Sequence, residues 1–248
     1  MKEYWYTKYP IAHRGWHWVN GVDENSWEAI ELAVENDVPI EFDVHLSSDG
    51  VPYVHHDFSF KRMTGLDQTG DDLSIRKIKK LKTHNSSSGV PVLKDVLEFV
   101  QGKVPLVIDV KRERSDFALE ESLYELLRNY KGDFSIQSFH PSTLNYFRKN
   151  RVNFPLGLLS GSFEDEDLNL FVKVVLKSLC LCPFLMPNYI GHQWSQISLR
   201  APQEIREKYE IPLLGWTVRD EKARRFTQKW GDNIIFEDIE PQRRLYDS

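Results

Sequence analysis

Short apolar runs alternate along this chain with longer amphipathic stretches, and the alternation keeps an even spacing from one end to the other. The apolar runs fall at Pro10–His13, Pro39–Val44, Pro105–Val110, Phe134–Gln137, Phe154–Leu159, Phe184–Pro187, Ile211–Val218 and Asn233–Phe236. All eight read as strands. Between them, apolar residues recur at helical spacing over Ser26–Asn36, Leu93–Val100, Asp116–Tyr130, Pro141–Asn150, Asp165–Ser178, Ala201–Tyr209 and Asp220–Lys229. Asn25 stands where it would cap the first of these helices, and Pro141 opens its helix where a missing N–H costs nothing. A strand followed by a helix, repeated around eight strands, predicts a parallel (β/α)8 TIM barrel formed by residues 1–248 as one domain. A doubly wound open sheet is the competing arrangement.

The rhythm breaks after the second run. Ser47-Ser48-Asp49-Gly50 is a polar turn that sends Val51–His55 back as a hairpin-like return strand. Residues 58–90 then form a polar excursion, basic at Arg76–Lys82 and rich in Ser and Gly at Ser86–Gly89. Leaving the end of the second strand, this inserted segment is expected over the C-terminal face of a barrel, where active sites are built.

Composition narrows the functional classes. The 248 residues are 41% hydrophobic and 28% charged, enough to bury a sizeable core. A net charge of -5 leaves no Lys/Arg excess to displace counterions, so nucleic acid is an unexpected partner and a small anionic substrate needs a few placed cations. With no secretory run in the first residues and no apolar stretch of about 18 residues, the chain reads as soluble and cytoplasmic, without stable membrane insertion. Cys180 and Cys182, one residue apart, would point to opposite faces of a strand and are expected to be reduced.

Four segments place polar residues where a barrel core has no use for them: Ile11-Ala12-His13-Arg14-Gly15, Ile40-Glu41-Phe42-Asp43-Val44, Val54-His55-His56-Asp57 and Val107-Ile108-Asp109-Val110-Lys111. Glu41 and Asp43, two apart, share one strand face. Held side by side they repel, and a hard divalent ion, Mg2+ or Ca2+, would relieve the repulsion with Asp109 as a third ligand. Histidines near these ligands could take a proton from an attacking oxygen and return one to a leaving alkoxide. Either member of the His55-His56 pair could be the inward one. Arg14 offers a fork and Lys111 a point charge for phosphate oxygens. No Walker loop, GxSxG elbow, Cys/His zinc cluster or GxGxxG supports another chemistry.

These segments, in this order, resemble the glycerophosphodiester phosphodiesterase family. The resemblance rests on His13-Arg14-Gly15, Glu24-Asn25, Glu41-Phe42-Asp43-Val44, the run Asp49–Asp57, Arg62-Met63-Thr64-Gly65, Val90-Pro91-Val92-Leu93, Ile108-Asp109-Val110-Lys111, Gln137-Ser138-Phe139 and Trp216-Thr217-Val218, nearly the whole chain. It implies a TIM barrel whose small inserted segment matches residues 58–90. It implies that His13 and His56 are the acid/base pair, that Glu41, Asp43 and Asp109 are metal ligands with Glu24 a further carboxylate at the metal, and that Arg14 and Lys111 contact phosphate. One divalent ion is implied, Mg2+ or Ca2+, with Mn2+ a further candidate. The implied substrate is a small phosphodiester, attacked by its own hydroxyl to give a cyclic phosphate that water opens, releasing an alcohol and glycerol 3-phosphate. Trp216, with Trp16 and Trp18 behind it, is a candidate wall for the glycerol or head group.

Three departures bear on this. Asp23 replaces the family's usual proline, Asp109 stands where glutamate is common, and Phe236-Glu237-Asp238 differs from the usual Thr-Asp ending. A phospholipase D-like enzyme acting on lysophospholipid or sphingolipid is the alternative within hydrolases, and a catalytically silent barrel that binds a phosphorylated ligand is the alternative outside them. His13, His56, Glu41 and Asp43 are all retained, which weighs against the silent barrel.

Overall fold

A computed structural model describes residues 4–18, 21–112, 114–162 and 170–240. The chain opens with helix α1 (Trp5–Lys8), strand β1 (Ile11–Ala12), helix α2 (Trp27–Glu35), and strands β2 (Ile40–Leu46) and β3 (Pro52–Val54). The inserted segment holds the one-turn helices α3 (Lys61–Thr64) and α4 (Ile75–Ile78). There follow α5 (Leu93–Val100), β4 (Leu106–Val110), α6 (Ala118–Leu127), β5 (Phe134–Ser138), α7 (Pro141–Lys149) and β6 (Leu156–Ser160). The last stretch runs α8 (Leu170–Ser178), α9 (Cys182–Leu185), β7 (Tyr189–Gln193), α10 (Arg200–Tyr209), β8 (Leu213–Val218), α11 (Glu221–Trp230) and β9 (Asn233–Phe236). With β3 set aside as the antiparallel return, this is the (β/α)8 TIM barrel.

Seven of the eight apolar runs coincide with a barrel strand. The exception is Phe184–Pro187, which is the end of helix α9 and a turn at Met186 with φ 42°. Pro183 in the first turn of α9 brings a backbone angle suited to a helix start. The strand that follows, β7, reads Tyr-Ile-Gly-His-Gln, and its glycine and polar residues dilute the apolar signal. Of the helix expected over Asp165–Ser178, residues 165–169 lie outside the described residues, and Leu170–Ser178 is helical. The first long helix is capped by Ser26, whose hydroxyl accepts from Ala29 N–H, and not by Asn25.

Two compact units divide the chain. In residues 12–134, β2 pairs in parallel with β1 (Ala12 opposite Ile40) and with β4 (Asp43 opposite Asp109). β3 returns antiparallel to β2 after Gly50, which has φ 76°, with Val44 opposite Val54. All seven residues of β2 are buried, so both its faces are covered: Ile40, Phe42 and Val44 lie on one side, Glu41, Asp43 and His45 on the other. In the unit formed by residues 1–11 and 135–248, β5 to β9 pair in parallel in chain order. Gly157 leaves room there for Tyr189, since a Cβ at that position would lie 2.3 Å from its ring. No helix among the described residues is long and apolar enough to cross a membrane.

The inserted segment has a core of its own. Phe60, Leu73, Ile78 and Val90 pack on Tyr53 of β3. Its polar positions are anchors: Asp23 accepts from Asn85 N–H (2.7 Å) and Nδ2 (3.1 Å), Glu28 accepts from Ser86 Oγ (2.7 Å) and from Ser87 N–H and Oγ (3.0 Å each), and Asp49 accepts from Ile75 N–H (2.8 Å). Asp23 thus makes two hydrogen bonds that the family's usual proline could not. Phe60→Ala, which empties a fully buried ring site, is expected to cost about 3–5 kcal/mol and to expose residues 58–90 to limited proteolysis before the rest of the chain; thermal melts and a protease time course read both effects.

Candidate active site

At the end of β1 the chain turns through two successive left-handed residues, Arg14 (φ 56°) and Gly15 (φ 81°). The turn aims Arg14 N–H at Glu41 Oε2 (3.0 Å) and Gly15 N–H at the Glu41 carbonyl (3.1 Å). A Cβ at Gly15 would stand 2.8 Å from that of Ala29, so helix α2 can approach only a glycine here. The backbone of the His-Arg-Gly triplet therefore orients the first carboxylate of β2.

The parallel register of β2 and β4 sets Asp43 beside Asp109, and the two-residue spacing sets Glu41 on the same face as Asp43. One oxygen from each of the three lies within 4.8 Å of the others, and all three side chains are almost wholly buried. Asp109, shorter by a methylene than the family's glutamate, still joins the cluster. Lys111 Nζ bonds Asp109 Oδ2 (2.7 Å) and Asp43 Oδ1 (3.0 Å), and Arg14 Nε lies 3.3 Å from Asp43 Oδ2. Asn25, freed from capping, donates its Nδ2 to Asp43 Oδ2 (2.8 Å), and its Oδ1 accepts Asp43 N–H (3.3 Å).

These contacts fix the charge states. Burial opposes ionisation of Asp43, but Lys111, Arg14, His56 and His13 together outweigh it and hold that carboxyl well below the usual range. Glu41 goes the other way: burial first, then repulsion from Asp43 and Asp109, pushes its carboxyl well above the usual range. Burial raises Asp109 too, against the pull of Lys111. Three buried carboxylates facing two cations leave the cluster short of positive charge, and Asp109 Oδ1 is buried with no hydrogen-bond partner among the described residues. An all-oxygen donor set with an unpartnered buried oxygen and a carboxyl that resists ionisation suits one hard divalent cation.

The chain leaving β3 carries the two histidines and separates them. His55 is 3% exposed, its ring 4.8 Å from that of Phe60, and burial lowers its pKa to about 4, so it is a neutral member of the inserted segment's core. His56 is one-third exposed, and its Nδ1 lies 2.7 Å from Asp57 Oδ1. Burial opposes ionisation of Asp57, yet hydrogen bonds from Arg62 and His56 prevail and keep it an anion. A carboxylate only accepts, so the His56 Nδ1 carries the proton and Nε2 presents the lone pair. His45 Nε2 donates to the His56 carbonyl at 3.0 Å, which fixes the backbone at that point. His13, half-buried at the end of β1, acts electrostatically on Asp43 as His56 does.

Glu24 sits between two guanidinium groups, its Oε1 accepting from Arg14 Nη1 (2.8 Å) and Arg62 Nη2 (2.6 Å). The structure thus brings Arg14, Glu24, Glu41, Asp43, His56, Asp109 and Lys111 into one connected group within residues 12–134. Trp16 is buried and stacked on Trp18 at 5.8 Å. Trp216 belongs to the other unit, where its ring meets Phe139 edge to face at 5.6 Å. Sequence reasoning left Asn25, His45, Asp57 and Arg62 without a role at the site. The period of two on β2 puts His45 in line with Glu41 and Asp43 and could have flagged it; the partners of Asn25, Asp57 and Arg62 depend on contacts no spacing reveals.

The barrel and its acidic, histidine-flanked cluster define the class of protein, and comparison with known proteins defines the family. Residues 8–239 match the model of the Glycerophosphoryl diester phosphodiesterase family, and the chain belongs to it. It is 25% identical to YhdW of Bacillus subtilis over 242 residues, 92% of this chain and 93% of that one. Among solved structures it is similar to an Oleispira antarctica phosphodiesterase in complex with the product sn-glycerol-3-phosphate, with a TM-score of 0.77, 19% identity and 93% of each chain covered. It is also similar to the glycerophosphodiester phosphodiesterase of Thermotoga maritima, with a TM-score of 0.72, 22% identity and 96% of each chain covered.

An ion that binds the folded cluster and not the unfolded chain must raise the melting temperature. At a hundredfold excess over its Kd the gain is about 2.7 kcal/mol, or roughly 5–10 °C for a chain of this size. Melts in EDTA and with Mg2+, Ca2+ or Mn2+ are expected to differ by that amount for the wild type, and not at all for Asp43→Asn or Asp109→Ala.

Proposed function

We propose that this chain hydrolyses glycerophosphodiesters to an alcohol and sn-glycerol 3-phosphate, with one divalent ion held by Glu41, Asp43 and Asp109 and with His13 and His56 moving the protons. The observation that carries the proposal is the juxtaposition in one unit of three buried carboxylates, two cations and a histidine oriented by an aspartate. Family membership supplies the reaction class, and the relative that binds sn-glycerol-3-phosphate supports the product.

Each group has a defined task in this reading. A divalent ion at the carboxylates would polarise a phosphoryl oxygen and neutralise charge building on it. Arg14 offers a planar fork to the non-bridging oxygens, and Lys111 a compact charge beside them. The hydroxyl of glycerol next to the phosphodiester attacks phosphorus, losing its proton to one histidine while the departing alkoxide gains one from the other. His56 exchanges its proton at Nε2, because Nδ1 is committed to Asp57. Water then opens the cyclic phosphate by the reverse transfers. The local cations solve the problem set by a net charge of -5, since they attract a small anion that the whole-molecule field would repel.

Purified protein is expected to release sn-glycerol 3-phosphate from glycerophosphocholine or glycerophosphoethanolamine, to stop in EDTA and to resume with Mg2+, Ca2+ or Mn2+. No release with any of these ions from folded protein would remove the reading. His13→Ala and His56→Ala are each expected to lower kcat by about 100-fold or more with unchanged circular dichroism, and near wild-type turnover by either would contradict the assignment.

The pH dependence has a definite sign. Burial, helped by the charges of Arg14 and Lys111, disfavours the imidazolium of His56 and places its pKa below the ordinary 6.5. His56 is therefore neutral at pH 7 and charges only as pH falls through that lowered value. The acid limb of the profile of kcat/KM is expected below pH 6.5; a limb centred at pH 7 or above would assign the titration to another group.

A further inference from the structure

Arg62 lies outside every motif role assigned so far. It sits in α3 of the inserted segment, half exposed, and yet its guanidinium is committed on three sides. Nε donates to Asp57 Oδ2 at 2.7 Å and Nη2 to Asp57 Oδ1 at 2.9 Å, a two-pronged grip on one carboxylate. Nη2 also donates to Glu24 Oε1 at 2.6 Å. Its backbone is held as well, because His84 Nε2 donates to the Arg62 carbonyl at 2.8 Å. Asp57 Oδ1, the oxygen that receives Nη2, is the one that receives His56 Nδ1.

We propose that Arg62 is a positioning residue for the reaction: its fork fixes the Asp57 carboxylate in the plane and rotamer that hold His56 with Nδ1 protonated and Nε2 free to exchange a proton, so that the inserted segment completes the acid/base machinery. The proposal rests on the phosphodiesterase reading, since it assigns Arg62 to that reaction. Without Arg62, Asp57 keeps a single hydrogen bond to His56 and is free to turn toward solvent, because it lies on a partly exposed loop. The imidazole then loses the partner that sets its tautomer, and a fraction of the molecules present a protonated Nε2 that cannot accept. A lysine at this position supplies charge but only a single point of contact, so it restores the attraction and not the orientation. The anchors that hold the inserted segment, Asp23 to Asn85 and Glu28 to Ser86 and Ser87, thereby become part of how the acid/base group is held.

Two readouts test this. The first needs no turnover: nitrogen-15 NMR of the metal-free protein at pH 8 reports which ring nitrogen of His56 bears the proton. The wild type is expected to show the Nδ1–H form, Arg62→Ala a mixture of tautomers, and Glu24→Gln, which takes the charge from the ion pairs of Arg62 and Arg14 with Glu24 but leaves the grip of Arg62 on Asp57, the wild-type form. The second is kinetic. Arg62→Ala is expected to lower kcat for glycerophosphocholine by about 10- to 100-fold with KM little changed, Arg62→Lys to recover only part of it, and Asp57→Ala combined with Arg62→Ala to lose no more than the worse single variant. Added methylguanidinium is expected to restore part of the activity of Arg62→Ala, because the position is open to solvent. An unchanged His56 tautomer in Arg62→Ala overturns the proposal even if kcat falls, and so does an unchanged kcat even if the tautomer shifts. Absence of wild-type turnover on every glycerophosphodiester would remove the phosphodiesterase reading and the proposed role in catalysis with it, while the NMR result would still decide whether Arg62 orients His56.

Discussion

Three buried carboxylates forced together are the constraint around which the described site is organised. Glu41 and Asp43 share a face of β2 because side chains alternate along a strand, and Asp109 joins them because the register of β2 and β4 puts it opposite Asp43. Like charges this close cannot all ionise without compensation. The fold answers with Lys111 from the same strand as Asp109, with Arg14 from the left-handed turn after β1, and with the Asn25 side chain, yet Glu41 still resists ionisation. One small, highly charged cation would relieve the repulsion that remains.

Around that centre runs a chain of alternating charges from Asp43 through Arg14, Glu24 and Arg62 to Asp57, which accepts a hydrogen bond from His56. It links the carboxylate cluster to His56 through four ion pairs and that one hydrogen bond. The partly exposed pairs of Arg62 with Glu24 and Asp57 contribute little to stability one by one. Their value here is geometric, because each member restricts the rotamer of the next. The inserted segment supplies one link, Arg62, and its apolar core and its anchors to Asp23, Glu28 and Asp49 hold that link in register with the barrel strands.

Much of this was legible in the residues. Seven barrel strands follow from apolar runs, the carboxylate pair follows from its spacing, and the return strand follows from Asp49-Gly50. The remaining barrel strand, β7, was hidden because Gly191 and His192 interrupt its apolar character while the neighbouring Phe184–Pro187 imitates a strand. Asn25 looked like a cap because its residue type favours that role; Ser26 fills it, and the amide serves Asp43 instead. The choice between His55 and His56 could not be made by alternation, since it depends on where Phe60, further along the chain, packs against His55. Asp23 with Asn85 and Arg62 with Glu24 form polar contacts between residues far apart in the chain, and no local pattern announces such partners.

With Glu41 ionised, the three carboxylates exceed Arg14 and Lys111 by one negative charge, and a divalent ion bound there would displace the proton that Glu41 otherwise keeps. Calorimetric titration of Mg2+ or Ca2+ into the protein, repeated in buffers of differing ionisation enthalpy, counts the protons displaced on binding. If Glu41 is held protonated by its neighbours, binding releases protons, at pH 6 no fewer than at pH 8. Saturable binding with no proton release at either pH, or no saturable binding at all, would contradict the account.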